Sequence, residues 1–368
     1  MKRIAVSLGL VLGVIILYLG LWPVPVVPVR WNAPNWPGYT GIHAVNNKLA
    51  NIEVISLGSD SQPEHIALAS DGKLYAAVAS GNILRMNPDG TAQEVYANTG
   101  GRPLGFDFDS AGNLIVADAL KGLLSISPDR KITVLTDKVG GDPIRFADAV
   151  VIAANGKVYF SDATTRFPYV AGTIGNEDED VSVLDIVENS ATGRILEYDP
   201  VSKVTRIVAK GLSFANGVAL SRDEKALFVA ETGRYRVWKI DVTAADLVVG
   251  PGSAQASIVL DNLPGFPDNL MRGQDGRIWL GLTAPRAPIL DQLADKPFLR
   301  KLILRLPKSV APAPIDYGHT IAFTEAGEVV ADLQDPTGAF PKITGVTETA
   351  NRLYFHSLNS RGLGWLEP

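Results

Sequence analysis

Glu64, Asp148, Asn216 and Asp268 each stand at the opening of a short β-rich run, and Asn269 follows Asp268 directly. Leu104 and Thr344 hold the same place in two further runs. A centre shared by these side chains would offer carboxylate and carboxamide oxygens, no sulfur and no necessary imidazole. Such a set suits a hard cation that takes six to eight oxygens, above all Ca²⁺. Three uncompensated carboxylates facing one another would repel, and a cation resolves that repulsion. Glu64, Asp148, Asn216, Asp268 and Asn269 are therefore the candidate ligands. Taken singly, each is equally an ordinary strand-end cap or turn residue. The recurrence of one register in four runs favours the metal.

Bringing positions so far apart to one point requires a repeat. Six copies of one paragraph run along the chain, with first strands opening at Pro63, Pro103, Ala147, Ala215, Pro267 and Ile343. Turns such as Ser70-Asp71-Gly72-Lys73 and Gln274-Asp275-Gly276-Arg277 follow, of the Asp-Gly kind that makes tight hairpins. Second strands are expected at 74–77, 114–117, 158–161, 227–230, 278–281 and 353–356, with third strands such as 83–86 and 195–198 beyond them. Four strands per copy of about 40 or more residues make the blade of a β-propeller. The expected fold is therefore all-β, a six-bladed β-propeller, with the first strand of every blade lining the central channel. The sixth copy stops at Leu366 before a fourth strand, and an unassigned strand, 52–57, precedes the first blade. That strand is expected to complete the sixth blade and leave no open edge; two stacked β-sandwiches would not explain it. Two insertions interrupt the pattern: 167–192, with the acidic run 177–180, and 284–300, with a helical piece at 290–299. Long excursions of this kind serve as lids or mobile loops, whereas an acidic run alone is more often solvated surface.

The chain is 46% hydrophobic and 20% charged, with 35 Gly and 24 Pro, which suits a turn-rich globular β protein. A net charge of -5 and the lack of a basic stripe argue against a nucleic-acid partner. The chain has no cysteine, so disulfides, thiolate nucleophiles and zinc–thiolate sites are excluded. Lys2 and Arg3 precede an uninterrupted apolar run, 4–21, close to the ~20 residues that cross a bilayer as a helix, and Trp22 sits where an interfacial aromatic belongs. Residues 1–22 read as an uncleaved transmembrane signal anchor in preference to a cleaved signal peptide, because no A-x-A-like site follows Gly20. The expected domains are this single-pass anchor, a stiff Pro-rich spacer over 23–50 that lifts the rest off the membrane, and the propeller over 51–368 on the extracytoplasmic side.

A second column, one step past the second strands, reads Val78, Asp118, Asp162, Glu231, Leu282 and Ser357; it either orients the ligands or forms salt bridges. Of the four histidines, His65 follows Glu64 on a strand and tends to face the other way. His319 and His356 are candidate general bases near the mouth, a packed structural role being the alternative. No P-loop, dinucleotide fingerprint, H-E-x-x-H or G-x-S-x-G elbow is present.

The strings 214–221 (FANGVALS), 228–232 (FVAET), 263–270 (LPGFPDNL) and 193–200 (GRILEYDP) resemble the strictosidine synthase-like proteins. That family includes the adipocyte plasma membrane-associated group and belongs with paraoxonases and the regucalcin/gluconolactonase group. The resemblance implies a six-bladed propeller with a central Ca²⁺ and hydrolysis of lactones or aryl esters. Glu64, Asn216, Asp268 and Asn269 match the group's calcium ligands. Asp148 falls where many relatives have Asn, with Ala149 where they often have Asp. Strictosidine synthases condense an amine with an aldehyde using a glutamate at the opening of the sixth blade; Thr344 stands there, which counts against that reaction. The expected function is a membrane-anchored, Ca²⁺-dependent hydrolase acting on a small-molecule lactone or carboxylic ester. Asp268 would be ligand and base, and Glu64 the second carboxylate of the catalytic centre. The alternative is a non-catalytic binding or scaffold propeller that Ca²⁺ merely holds together.

Overall fold

Apolar–polar alternation broken by Asp-Gly turns produces the strands. His65–Leu68, Leu74–Ala77, Asn82–Met86 and Glu94–Asn98 form one antiparallel meander. Its first hairpin is closed by Asp71, whose Oδ1 accepts the Lys73 N–H at 2.9 Å, and by Gly72, whose φ of 75° a side chain would resist. A computed structural model describes residues 2–171, 181–307, 310 and 315–367, without the side chains of Lys2 and Ala5. The acidic run 177–180 lies outside the described residues.

Five further sheets repeat the meander, so the chain is an all-β, six-bladed propeller. The inner strands of blades 1 to 6 are His65–Leu68, Pro103–Phe108, Ala147–Ile152, Ala215–Leu220, Gly265–Arg272 and Ile343–Glu348. Each touches the next, and the last touches the first. The core is therefore divided into wedges between blades. Phe228, Leu280 and Phe323 fill the wedge between blades 4 and 5; Leu57, Ile66 and Tyr354 fill the one between blades 6 and 1. The outer strand of blade 6 is Glu53–Ser56, paired antiparallel with Gly362–Leu366 in the register Glu53 to Trp365 and Ser56 to Gly362. The first strand of the chain thus completes its last blade, as the spare strand in the sequence implied.

The two insertions leave blades 3 and 5 between the second and third strands, at the end of the ring where inner strands begin. The first carries the helix Val181–Glu188, the second the short helices Pro288–Gln292 and Pro297–Ile303. Residues 22–50 do not stand off as a spacer. They form a strap along these insertions and the outer strands of blade 5. Val27 and Val29 donate their N–H groups to Glu188 Oε2 (2.6 Å) and Glu188 O (2.8 Å), and Arg286 Nη2 donates to Pro34 O (2.8 Å). Burial of Val26 and Leu49 favours docking over an extended, solvated Pro-rich segment. Ahead of the strap runs a 20-residue helix, Lys2–Leu21. Among the described residues no helix is long and apolar enough to cross a membrane; side chains are described without a break over 6–21 of this helix.

Candidate active site

Successive side chains on a regular strand face opposite ways, so Asp268 and Asn269 would not serve one centre from such a strand. The inner strands avoid this with bulges. In blade 5 the pairing jumps from Pro267↔Leu282 to Leu270↔Leu280, leaving Asp268 and Asn269 outside the ladder. In blade 4 Asn216 and Gly217 are skipped, in blade 3 Asp148 and Ala149, and in blade 6 Thr344 and Gly345. Asp148 therefore occupies the register of Asn216. Bulges re-aim side chains and concentrate beside functional sites. Glycine allows the inner strands to close up around them: a Cβ on Gly217 would lie 2.4 Å from the Asp268 carbonyl oxygen.

Contacts across the hub join Glu64, Asn269 and Thr344. Asn269 Nδ2 lies 3.1 Å from the Glu64 carbonyl oxygen and 3.2 Å from Glu64 Oε1. Thr344 Oγ1 donates to that same carbonyl at 3.1 Å. Glu64, Asp148, Asn216, Asp268 and Asn269 are all buried. Burial, followed by the charge of Asp268, raises the Glu64 carboxyl well above the usual range. Burial also lifts Asp148 to about 7, against an opposing pull from Arg102. Glu64 Oε2 and Asn216 Oδ1 are buried oxygens with no hydrogen-bond partner among the described residues. Unsatisfied oxygens of this kind are costly unless something accepts their lone pairs. Leu104, the apolar member of the column, belongs instead to the mouth's apolar cluster.

Arg102 belongs to this candidate site, and the sequence did not reveal it. It is 2% exposed, it senses the charges of Glu64 and Asp148, and its Nη1 has no hydrogen-bond partner among the described residues. Three carboxylates against one guanidinium leave the ionised hub with an excess of two negative charges. A divalent cation fits that balance, and so do the oxygen-only donors. Arg102 precedes a proline two positions before Leu104, and no motif marks it. The bulges did have a signal, because glycine follows the hub residue in Leu104-Gly105, Asn216-Gly217 and Thr344-Gly345.

The second column positions the hub from behind. Asp118 Oδ1 accepts the Arg102 N–H at 3.1 Å, Asp162 Oδ1 the Phe146 N–H at 2.9 Å, and Glu231 Oε1 the Ser213 N–H at 3.0 Å. Each carboxylate thus pins the chain just before an inner strand. Asp162 and Glu231 are also bonded by Arg194 Nε (2.9 Å) and Arg236 Nε (2.6 Å), so the orienting and ion-pairing alternatives both hold. His65 and His356 pack against each other, ring centroids 5.6 Å apart, and His356 Nε2 bonds Thr347 Oγ1 at 2.8 Å. His319 lies on the third strand of blade 5, two strands out from the hub, and bonds Asp332. Above the hub, Phe146, Phe167, Phe214, Val181 and Val26 form one apolar roof drawn from blades, insertion and strap.

A closed six-bladed ring whose inner-strand bulges gather buried oxygen donors at one mouth defines a hub-site β-propeller. Residues 41–86 match the family described as strictosidine synthase-like, N-terminal, and residues 148–244 match strictosidine synthase. Protein STRICTOSIDINE SYNTHASE-LIKE 4 of Arabidopsis thaliana is 33% identical over 84% of this chain and 80% of its own. The adipocyte plasma membrane-associated protein of Salmo salar is 30% identical over 98% of this chain and 88% of its own. The chain belongs to the strictosidine synthase-like family. Its fold is also that of a gluconolactonase from Xanthomonas campestris (TM-score 0.60, 16% identity, 94% of this chain and 99% of that one). A calcium-binding regucalcin from Agrobacterium tumefaciens shares it too (TM-score 0.56, 12% identity, 85% and 92%).

Proposed function

We propose that the chain hydrolyses lactones or carboxylic or aryl esters, with Ca²⁺ held by Glu64, Asp148, Asn216, Asp268 and Asn269. One observation carries this reading: oxygen donors from separate blades are buried at one hub, with Glu64 Oε2 and Asn216 Oδ1 lacking partners among the described residues. The solved gluconolactonase and the calcium-binding regucalcin add support at the level of fold. A bound Ca²⁺ supplies Lewis acidity toward the substrate carbonyl. Asp268 takes a proton from the attacking water as the water oxygen bonds to the acyl carbon. When the acyl C–O bond breaks, the same proton passes to the departing alkoxide, giving an acid and an alcohol, or a hydroxy acid from a lactone. Glu64, tied to Asn269 through Oε1, is the second carboxylate beside Asp268.

The test is a panel of aryl esters and lactones assayed with and without EGTA, alongside Asp268→Asn. Turnover is expected to disappear on chelation and to fall about 10²–10⁴-fold in the variant, the usual range for lost acid–base catalysis, with the circular dichroism spectrum intact. Undiminished turnover in both would overturn the proposal. The scaffold reading is favoured by the apolar roof over the hub. No turnover on the whole panel, with a large fall in Tm on chelation, would select it.

We further propose a single-pass membrane anchor at Lys2–Leu21, with the propeller outside the cytoplasm. Lys2 and Arg3 precede the apolar run, Leu8, Leu10, Val14 and Leu17 are exposed along the helix, and relatives carry the name adipocyte plasma membrane-associated protein. Carbonate-resistant sedimentation of the full chain with membranes, and protease access only from the non-cytoplasmic side, are the expected results.

A further inference from the structure

We propose that His43, His319 and Asp332 form a second metal site, chemically unlike the hub, which takes Zn²⁺ or a similar borderline ion and staples the N-terminal strap to blade 5. His43 lies on the strap, in the single turn Gly41–His43. His319 and Asp332 come from the neighbouring strands Gly318–Phe323 and Val329–Asp335. His43 Nδ1 is 2.7 Å from Asp332 Oδ2, and His319 Nε2 is 3.2 Å from the same oxygen. One ligand atom from each residue lies within 4.8 Å of the other two. Two imidazoles and a carboxylate are a zinc donor set with bonds of about 2.0–2.2 Å. An ion would take the place of the two imidazole N–H protons that now point at one carboxylate oxygen, after a small opening of the His43–Asp332 contact.

Three further observations point the same way. The other carboxylate oxygen is fixed by amide donors, since Asp332 Oδ1 accepts Asn46 Nδ2 at 3.2 Å and Gln334 Nε2 at 2.5 Å. Outer contacts of this kind orient ligands in metal sites. The imidazole planes cross at 77° with centroids 6.3 Å apart, so the rings approach a common point edge-on without stacking. Beside them the Tyr39 ring lies 5.7 Å from His319, and its hydroxyl oxygen is buried with no hydrogen-bond partner among the described residues. The surroundings also give the site a way in. His319 and Asp332 are buried, whereas the His43 side chain is 19% exposed, leaving a solvent-side position for a fourth ligand. Imidazole nitrogens favour zinc-like ions, and the hub's oxygens favour calcium. The two centres should therefore load independently.

The experiment uses the full chain, stripped with EDTA and titrated with Zn²⁺, with Co²⁺ as the spectroscopic probe. Uptake of one Zn²⁺ per chain, a visible Co²⁺ absorption band of low-coordinate type, and slower proteolysis within the strap are expected. His43→Gln keeps an amide donor for Asp332 and should fold; it should weaken Zn²⁺ binding at least tenfold and abolish the protection of the strap. Asp268→Asn, in the hub, should leave Zn²⁺ uptake unchanged. No Zn²⁺ uptake by the unsubstituted chain overturns the site, because the triad is then held by hydrogen bonds alone. Equal uptake by His43→Gln overturns it as well.

Discussion

Arg102 places a positive charge beside the carboxyls of Glu64 and Asp148 in the hub. Its removal should act in two directions at once. Without Ca²⁺, Arg102→Met leaves the carboxylates less compensated and should lower Tm. With Ca²⁺, the lost repulsion between guanidinium and ion should tighten binding severalfold. Calorimetric titration with Ca²⁺ and melting in EGTA measure the two effects; weaker Ca²⁺ binding in the variant would show that Arg102 supports the site in another way. This residue also marks how far the sequence reaches. Glu64, Asn216 and Asp268 were legible because a repeat carries them to one register. Asp148 was legible but for its register, which its bulge makes the same as that of Asn216. Arg102 belongs to no column: its role arises from burial, which spacing does not encode. The partnership of His43 with Asp332 was equally hidden, since the contact joins positions far apart in two different elements.

The insertion helix Val181–Glu188 carries a carboxyl that the fold treats differently from the unfolded chain. Burial pushes Asp185 up to about 7, whereas an unfolded aspartate titrates near 3.9. Between those two values the folded chain binds the extra proton. The contribution of Asp185 is therefore most favourable below about pH 4, declines as pH rises toward about 7, and stays lost above that. Asp185→Asn, similar in shape and uncharged, should flatten this decline and raise Tm at pH 8 by several degrees, at roughly 2–4 °C per kcal/mol. Melting curves at pH 5 and pH 8 decide it, since parallel slopes for the two proteins would contradict the expectation. Both insertions were visible as interruptions of the blade pattern, and a helical piece was expected within 290–299. Proline starts two short helices there, at Pro288 and Pro297, because its fixed φ suits a first helical turn. The strap was the harder case: its prolines signalled stiffness, but partners such as Glu188, Arg286 and Arg300 determine where a stiff segment lies.

At the scale of the molecule, closure depends on one four-residue strand. A chain beginning at residue 23 keeps the rest of the strap and the closing strand and should fold. One beginning at 51 loses the strap's buried Leu49 and should melt lower. One beginning at 58 lacks Glu53–Ser56, exposes the edge of Gly362–Leu366, and should aggregate. Size-exclusion profiles and thermal melts of the three chains check the series, and a well-folded product from residue 58 would refute it. The spare strand was legible because a four-strand repeat has to account for every member.

That pairing also imposes a timetable on biosynthesis. Ser56 leaves the ribosome roughly 300 residues before its partner Gly362, an interval of about 15–60 s at ~5–20 residues per second. Throughout that wait five blades accumulate in an unclosed arc, tethered at one end if the leading helix has already entered a bilayer. A nascent chain in this position calls for a chaperone that shields strand edges until Gly362–Leu366 emerges.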